Sequence, residues 1–514
     1  MIIRSRASRL WLGVLVLASV ACQKAPVEAS AVVDAGVPRP VTLTFLVTGA
    51  ENGYLLPTPG PTAGAPTQGG AAQMLGRWVA DEGHCAGPLG ASGDAACADG
   101  GTIVLSTGDN ANGQAISSYF KGESTAQVMR QMGYAASALG NRELDWSREQ
   151  FQKNVATGGF PYLAANLEAR DDEARKLSLL PYRMVTRQGI KVGVIGLSSH
   201  KATITPMPGR MAGITWRKEE QALAQLVPAV KAAGAQVIAI VSDGCLEELA
   251  PLFEGHDDWQ VGFVAGRKCE APFPESVGLT RLVYPGRHFN EYVRAQVTLD
   301  LNRPQGQQLL SVQSKTVVVT SEVAPPPEPK AQALISEWKA QLDTALGGTI
   351  GFTKTGFEQE SPQMSAWLTT ALRDQFKTDA ALLNRKGVRQ ALPTGAITKA
   401  TIYDLIPFEN QVVIVKLNGE QLITALSNVQ ARVAGVRPKG EGFVDAKGAV
   451  LDPKATYTVA TIDYLYLGGD GFTLNQADPA PTMTNSSWQK TLSEWTAAQK
   501  TDEKSPLETK VKVK

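Results

Sequence analysis

Asp and Asn residues directly follow two predicted strands of this chain. A buried strand from Ile103 to Ser106 leads into Gly108-Asp109-Asn110, and a short strand from Ala136 to Leu139 leads into Gly140-Asn141-Arg142. The carboxyl ends of strands in an α/β sheet share one rim, and ligands of such sheets bind at that rim. The sequence therefore predicts that Asp109 and Asn141 are delivered to one ligand-binding rim.

Alternating strand and helix patterns surround these two stretches and indicate an α/β fold. A helix with apolar residues at Val128, Met129 and Met132 separates the two strands. The apolar spacing at 217–233 is that of another helix. Further strands are predicted at 41–47, 191–197, 236–241, 261–265, 281–284 and 293–301.

The stretches GDN at 108–110 and GNRELD at 140–145 closely resemble motifs of the calcineurin-like metallophosphoesterases, and within them of the 5′-nucleotidase family. That family reads GDNFQG and then GNHEFD. The resemblance implies a four-layer metallophosphoesterase-like domain followed by a smaller α/β domain. Arg142 stands where family members use a His beside the scissile phosphate, whereas Asp145 is retained.

The family resemblance also implies a metal cage, and this chain departs from it. Members hold two divalent ions with two Asp, one Asn and four His, and these ions clamp the phosphate and activate a water molecule. Only Asp109 and Asn141 match that pattern. The other five positions hold Ala50, Asn52, Asp243, Arg267 and Cys269.

The lost ligands predict that no metal cofactor is held with the usual affinity. Ala50 stands where the family has the carboxylate that bridges both ions, and the loss of that carboxylate has the largest effect. At most one weakly bound hard ion such as Mg²⁺ or Ca²⁺ is expected, on the oxygen atoms of Asn52, Asp109, Asn141 and Asp243.

Arg142 and Arg267 bring two positive charges to the positions where Asp109 and Asp243 bring two negative ones. An unpaired buried charge costs several kcal/mol, so these four side chains are expected to pair with one another. The alternative is that both arginines point into solvent.

Three stretches in the second half resemble the nucleotide-binding C-terminal domain of 5′-nucleotidases. They are 383–389 against N-x-G-x-R, 407–410 against PFxN, and 464–472 in a GGDGF setting. In the family, two aromatic rings sandwich the base and an Asp takes the ribose hydroxyl groups. The resemblance implies that a nucleotide or nucleoside binds at Asn384, Gly387, Arg389, Phe408, Asn410, Tyr464 and Asp470. The alternative is that the two aromatic residues only pack in the core.

Composition and the Pro-rich stretch at 324–329 suggest a division into segments. These are a lipoprotein signal peptide (1–22), a tether (23–40), the metallophosphoesterase-like domain (41–323), a linker and connecting helix (324–347), the nucleotide-binding domain (348–485), and a C-terminal helix and tail (486–514). The charged tail, from about residue 500, is expected to be solvated or frayed.

The N-terminus carries three arginines and then an apolar run that ends at Ala21-Cys22. This pattern predicts export, with a lipid on Cys22 that anchors the chain to the membrane of the bacterial periplasm or cell envelope. An ordinary cleaved signal peptide or an uncleaved anchor is the alternative. In an exported protein the four remaining cysteines are expected to pair as Cys85 with Cys97 and Cys245 with Cys269, the alternative being free thiols.

The charge balance gives no support for nucleic acid as a partner, because 50 basic and 49 acidic residues leave a net charge of +1. Two functions follow from the residues. One is an active nucleotide phosphomonoesterase with an altered, single-metal site. The other, which the missing ligands favour, is a nucleotide-binding pseudoenzyme of the 5′-nucleotidase family.

Overall fold

The computed structural model describes residues 40–60, 65–90, 101–200, 209–322, 325–440 and 442–513. From Pro40 onward the chain forms one compact unit. The predicted lipid-attachment residue Cys22, the signal peptide and all but the last residue of the tether lie outside the described residues, and so does Cys97.

The first half of the chain is built on two six-stranded sheets. Its strands are Val41–Thr48 (β1), Thr102–Ser106 (β2), Tyr134–Ala138 (β3), Tyr162–Leu163 (β4), Leu167–Ala169 (β5), Tyr182–Arg187 (β6), Ile190–Leu197 (β7), Ile214–Trp216 (β8), Val237–Cys245 (β9), Val261–Arg267 (β10), Ser276–Val277 (β11), Thr280–Val283 (β12), Glu291–Leu299 (β13) and Leu309–Val318 (β14). The sheet orders are β14-β13-β1-β2-β3-β4 and β11-β12-β10-β9-β7-β6, and β5 pairs with β8.

The two sheets pack face to face, and helices cover their outer faces. Alternate side chains such as Phe45 and Phe263 meet between the sheets, with ring centroids 4.9 Å apart. The helices are Ala71–Glu82 (α1), Ala115–Ser118 (α2), Glu123–Gln131 (α3), Arg148–Gly158 (α4), Asp172–Arg175 (α5), Glu219–Ala232 (α6), Leu246–Leu249 (α7) and Pro329–Leu346 (α8). Helices α1, α3 and α8 cover the first sheet, and α6 and α7 cover the second. The predicted four-layer arrangement is therefore confirmed.

The second half has a hydrophobic core of its own, drawn from residues between Phe357 and Val511. Its strands are Thr349–Thr353 (β15), Ala380–Asn384 (β16), Gly395–Thr398 (β17), Gln411–Asn418 (β18), Ala431–Ala434 (β19), Val436–Lys439 (β20), Gly442–Asp445 (β21), Thr456–Ile462 (β22) and Thr482–Ser487 (β23). Its helices are Pro362–Phe376 (α9), Lys399–Leu405 (α10), Gly419–Leu426 (α11), Asp463–Tyr466 (α12), Leu474–Ala477 (α13) and Trp488–Ala498 (α14). The main sheet has the order β19-β16-β22-β18-β23.

The expectation that the C-terminal tail is frayed was wrong, although its charged residues Asp502, Glu503, Lys504, Lys510 and Lys512 are exposed to solvent as expected. Leu507 is fully buried and Val511 is 6% exposed, and both belong to the core of the second half. Glu508 accepts hydrogen bonds from the Thr355 backbone N–H (2.7 Å) and the Thr353 hydroxyl (2.8 Å). The alternating charges concealed two apolar residues that the chain folds back to bury. Among the described helices, none has the length and apolar character needed to cross a bilayer.

Candidate functional site

The carboxyl ends of both sheets meet at one rim. Strands β1, β2 and β3 run parallel in the first sheet, and β7, β9 and β10 run parallel in the second. Across the rim, the Ser198 hydroxyl after β7 donates to the Leu139 carbonyl at 2.8 Å. Asp109 and Asn141 therefore come from one sheet and Asp243 and Arg267 from the other.

Asp109 lies at the centre of this rim and is 5% exposed. Its Oδ2 atom is 3.2 Å from Nη1 of Arg267, and its Oδ1 atom accepts the backbone N–H of Arg142 at 3.1 Å. The contact between Arg267 and Asp109 is one of the ion pairs that the sequence predicted. Both oxygens of the Asp109 carboxylate therefore have protein donors.

Asp243 does not take part in the expected network of four charges. Its carboxylate accepts the backbone N–H and the hydroxyl of Ser199, the latter at 2.8 Å. Burial, and then the nearby charge of Asp109, raises the pKa of Asp243 to about 7. Among the described residues, Asp243 therefore takes Ser199 and no arginine as its hydrogen-bond partner.

The side chain of Arg142 also takes a partner that was not expected. Its Nη1 atom lies 3.2 Å from Oδ2 of Asp145, which in turn accepts the Asn112 amide at 2.5 Å. The guanidinium carbon of Arg142 lies 4.8 Å from the centre of the Phe408 ring. Arg142 therefore reaches Asp109 only through its backbone and joins the two halves of the molecule through its side chain.

Two buried glutamates shape the rim and were missed from the sequence. Glu143 accepts the backbone N–H groups of Asn110 (2.7 Å) and Gly140 (2.9 Å), and Glu51 accepts those of Gly49 (3.0 Å) and Phe289. Burial raises the pKa of each to about 8, with the charge of Asp109 as a further cause at Glu143. Both glutamates lie in turns that follow strands, and this position was the only signal in the sequence that they belong to the rim.

The donor set at the rim does not fit a two-ion cage. Ala50 offers no side-chain ligand, and Cys269 is bonded to Cys245 as predicted. Among the described residues, one group of three His, Cys, Asp or Glu side chains has its ligand atoms within 4.8 Å of one another. It consists of these two disulfide-bonded cysteines and Glu247. With Asp109 held by Arg267, we assign no chemical step to a bound metal.

The predicted nucleotide residues of the second half gather beside this rim. The Asn384 amide donates to Asp470 Oδ2 at 2.6 Å, and the Tyr464 hydroxyl donates to Asp470 Oδ1 at 3.4 Å. A Cβ atom on Gly387 would lie 2.8 Å from Asn384 Oδ1, so glycine is required there. The structure thus brings Asn384, Tyr464 and Asp470 together.

Phe408 lies between the two halves. The guanidinium carbon of Arg142 lies 4.8 Å from the centre of the Phe408 ring, and the guanidinium carbon of Arg389 lies 6.0 Å from it. Asn410 is instead held by Asp463, whose Oδ1 atom accepts the Asn410 amide at 2.7 Å. Asp463 was not among the predicted site residues. One face of Phe408 is therefore covered by a guanidinium group rather than left open.

Further contacts close the two halves on each other. The carboxylate of Asp404 accepts the backbone N–H of Ala115 at the start of α2, and Lys121 lies 3.3 Å from Glu409. Burial raises the pKa of Asp404 to about 6. The rim and the predicted nucleotide residues therefore lie next to each other, in contact through Arg142 and Phe408.

Comparison with known proteins agrees with this architecture. Residues 342–476 match the family model described as the 5′-nucleotidase C-terminal domain. Protein UshA of Yersinia enterocolitica is 25% identical over 76% of this chain and 81% of its own length, and the 5′-nucleotidase of Vibrio parahaemolyticus is 26% identical over 73% and 78%. The crystal structure of a 5′-nucleotidase precursor from Thermus thermophilus has a TM-score of 0.72 at 21% identity and covers 90% of this chain and 97% of that one. Residues 342–476 thus belong to the 5′-nucleotidase C-terminal domain family, and the fold of the chain as a whole is that of the 5′-nucleotidases.

The raised pKa of Asp243 predicts how the stability depends on pH. The folded pKa of about 7 exceeds the ordinary value of 3.8, so the neutral form is favoured in the folded state. The stabilising contribution is complete below about pH 4 and is lost as the pH rises through about 7. The loss is at most about 4 kcal/mol, since one pKa unit corresponds to about 1.4 kcal/mol.

Asp243→Asn tests this contribution, because asparagine keeps an acceptor for the Ser199 N–H and can donate to the Ser199 hydroxyl. Urea unfolding at several pH values should show a smaller decline in stability for the variant than for the unmodified protein. An unchanged pH dependence would exclude Asp243 as its source.

Proposed function

We propose that this protein binds a nucleotide or nucleoside and hydrolyses it weakly or not at all. The observation that carries the proposal is the ion pair between Arg267 Nη1 and Asp109 Oδ2 at 3.2 Å. Asp109 is one of only two residues that match the metal ligands of the family, and its carboxylate is held by a cation of the protein itself.

An arginine at this place opposes metal-dependent hydrolysis for two reasons. The guanidinium group stays charged at all relevant pH values and suits a carboxylate in geometry, so it competes with a metal ion for Asp109. It also cannot lower the pKa of a water molecule to about 7, as a bound metal does. We therefore propose that no metal cofactor is required.

The nucleotide-binding part of the proposal rests on the second half of the chain. Asn384, Tyr464 and Asp470 are joined by hydrogen bonds near Phe408. Relatives named 5′-nucleotidase share this half. We propose that the base stacks on Phe408 and Tyr464 and that Asp470 takes the ribose hydroxyl groups. Since Arg142 lies over Phe408, the base displaces Arg142 or uses the other face of the ring.

We also propose that the protein is exported and anchored by a lipid on Cys22. This part rests on the N-terminal sequence, in which three arginines precede an apolar run and Ala21-Cys22. Mass spectrometry of the mature N-terminus tests it, and an unmodified residue 22 in the mature protein would contradict it.

The experiment for the main proposal combines binding and turnover. Purified protein is expected to contain no stoichiometric zinc or manganese, to bind AMP or adenosine in calorimetry, and to release no phosphate from AMP when Mn²⁺, Zn²⁺ or Co²⁺ is added. A tightly bound metal together with metal-dependent release of phosphate would overturn the proposal and support the active single-metal alternative.

A further inference from the structure

We propose that Arg142 and Arg267 form an anion site that takes the phosphate group of a nucleotide directly, with no metal ion between protein and phosphate. This proposal rests on the proposed nucleotide binding and adds the group that is recognised. Both arginines lie where members of the family carry histidines, so the charge that relatives obtain from metal ions would here come from the chain itself.

Three arginines lie where the rim meets the second half of the chain. Arg142, Arg267 and Arg389 face the carboxylates of Asp109 and Asp145. The carboxylates of Asp145 and Asp109 are already paired with Arg142 and Arg267, so neither serves as an ion-pair partner of Arg389.

Arg389 differs from the other two arginines in its partners. Among the described residues, no carboxylate forms an ion pair with it, and its Nη1 atom donates only to the Lys386 carbonyl at 3.3 Å. Burial lowers the pKa of Arg389, and the charge of Arg142 lowers it further. Like charges held at one aromatic ring repel each other, and an anion between them would remove that cost.

The donors needed for a phosphate group are available. Arg142 and Arg267 each use only Nη1 for a carboxylate among the described residues, which leaves the other N–H groups of each guanidinium for a ligand. Their side chains are 17% and 39% exposed, so solvent reaches part of both. Guanidinium groups match the oxygen atoms of phosphate in geometry.

A buried amide supports the same conclusion independently. Asn141 is 6% exposed, and its Nδ2 atom has no acceptor among the residues that the structure describes. Leaving a buried donor without a partner costs about 1–3 kcal/mol. Asn141 directly precedes Arg142, whose backbone N–H donates to Asp109. A phosphate oxygen at the rim would supply the acceptor that the Asn141 amide lacks.

The position of Phe408 identifies the ligand class as a nucleoside monophosphate. The Arg142 guanidinium lies 4.8 Å from the ring on which the base is proposed to stack. A nucleoside monophosphate offers a base to Phe408 and a phosphate group to the arginines. Free inorganic phosphate shares this chemistry, and the experiment separates the two ligands.

The test is calorimetry of the full chain in EDTA with AMP, adenosine and inorganic phosphate as separate probes. AMP is expected to bind at least about tenfold more tightly than adenosine, because charge-assisted hydrogen bonds contribute about 1.5–3 kcal/mol each. Raising the salt concentration should weaken AMP binding and leave adenosine binding unchanged. These comparisons need no variant and therefore do not depend on whether a variant folds.

The variant Arg142→Gln with Arg267→Gln should remove the difference between AMP and adenosine affinity, with both ligands measured on the same variant. Arg142→Lys with Arg267→Lys, which keeps the charges, should recover part of the loss. The matched control is Arg303→Gln, which removes an exposed arginine paired with Asp300 in the turn before β14 and should change neither affinity.

Three results would overturn the anion site: equal affinities for AMP and adenosine, AMP binding that the glutamine variant leaves intact, or AMP binding that EDTA abolishes. Failure of the proposed base pocket is a separate result. In that case adenosine gives no heat, while AMP and inorganic phosphate still bind and lose affinity in the glutamine variant, and the anion site stands.

Discussion

Replacing Phe408 and Tyr464 together by alanine is expected to weaken the binding of adenosine and AMP by about 30-fold or more. Stacking of a base contributes about 1–3 kcal/mol per aromatic residue, so the pair accounts for at least about 2 kcal/mol. Calorimetry with both ligands measures the loss. Adenosine is the more decisive ligand, because it lacks the phosphate group that arginines could hold.

Tyr457→Ala is the matched control for this prediction. Tyr457 lies near the N-terminal end of β22, whereas Tyr464 follows the opposite end of the same strand. The control should cost stability and leave affinity unchanged. Comparing Phe408→Ala with Tyr464→Ala also separates stacking from the contact with Arg142, which involves the Phe408 ring. Unchanged adenosine affinity in the double variant would show that the rings serve only packing.

Restoring six residues is expected to create metal-dependent hydrolysis of AMP. The changes are Ala50→Asp, Asn52→His, Arg142→His, Asp243→His, Arg267→His and Cys269→His, with Cys245→Ser to remove the thiol that loses its partner. Phosphate release should rise by at least about 10³-fold with Mn²⁺, since a metal-bound water has a pKa near 7 rather than 15.7.

The backbone already suits these changes. Ala50, Asn52 and Asp109 have φ values of 49°, 46° and 57°, a left-handed conformation that Asp, Asn and His tolerate better than alanine does. Arg142→His alone should remain inactive, because Arg267 still holds Asp109. Activity in that single variant would show that a metal binds without the full cage. No metal uptake by the complete variant would contradict the prediction that these positions form the metal site.

Much of the architecture follows from local patterns in the sequence. The predicted strand at 103–106 is Thr102–Ser106, and the predicted helix at 217–233 is Glu219–Ala232. Such patterns are readable because a strand or helix buried on a sheet must repeat its apolar residues with a fixed period. The motifs after the strands located the rim, because the carboxyl ends of parallel strands share one edge.

Side-chain partners across the fold were decided only by the tertiary structure. Arg142 was expected at Asp109 or Asp243, but Asp145 lies one helical turn further along the chain and Phe408 arrives from the other half. Asp243 is satisfied by Ser199, which follows a different strand. Such choices depend on distances between segments far apart in sequence, which no local pattern records.

By itself, the sequence determined the α/β layers and the residues at the rim, because these depend on residue type and spacing. The structure decided which guanidinium holds Asp109, that Glu51 and Glu143 are buried against backbone N–H groups, and that Leu507 and Val511 are packed in the core. Burial and charge pairing depend on how the two sheets and the two halves pack, and that packing is a property of the whole chain.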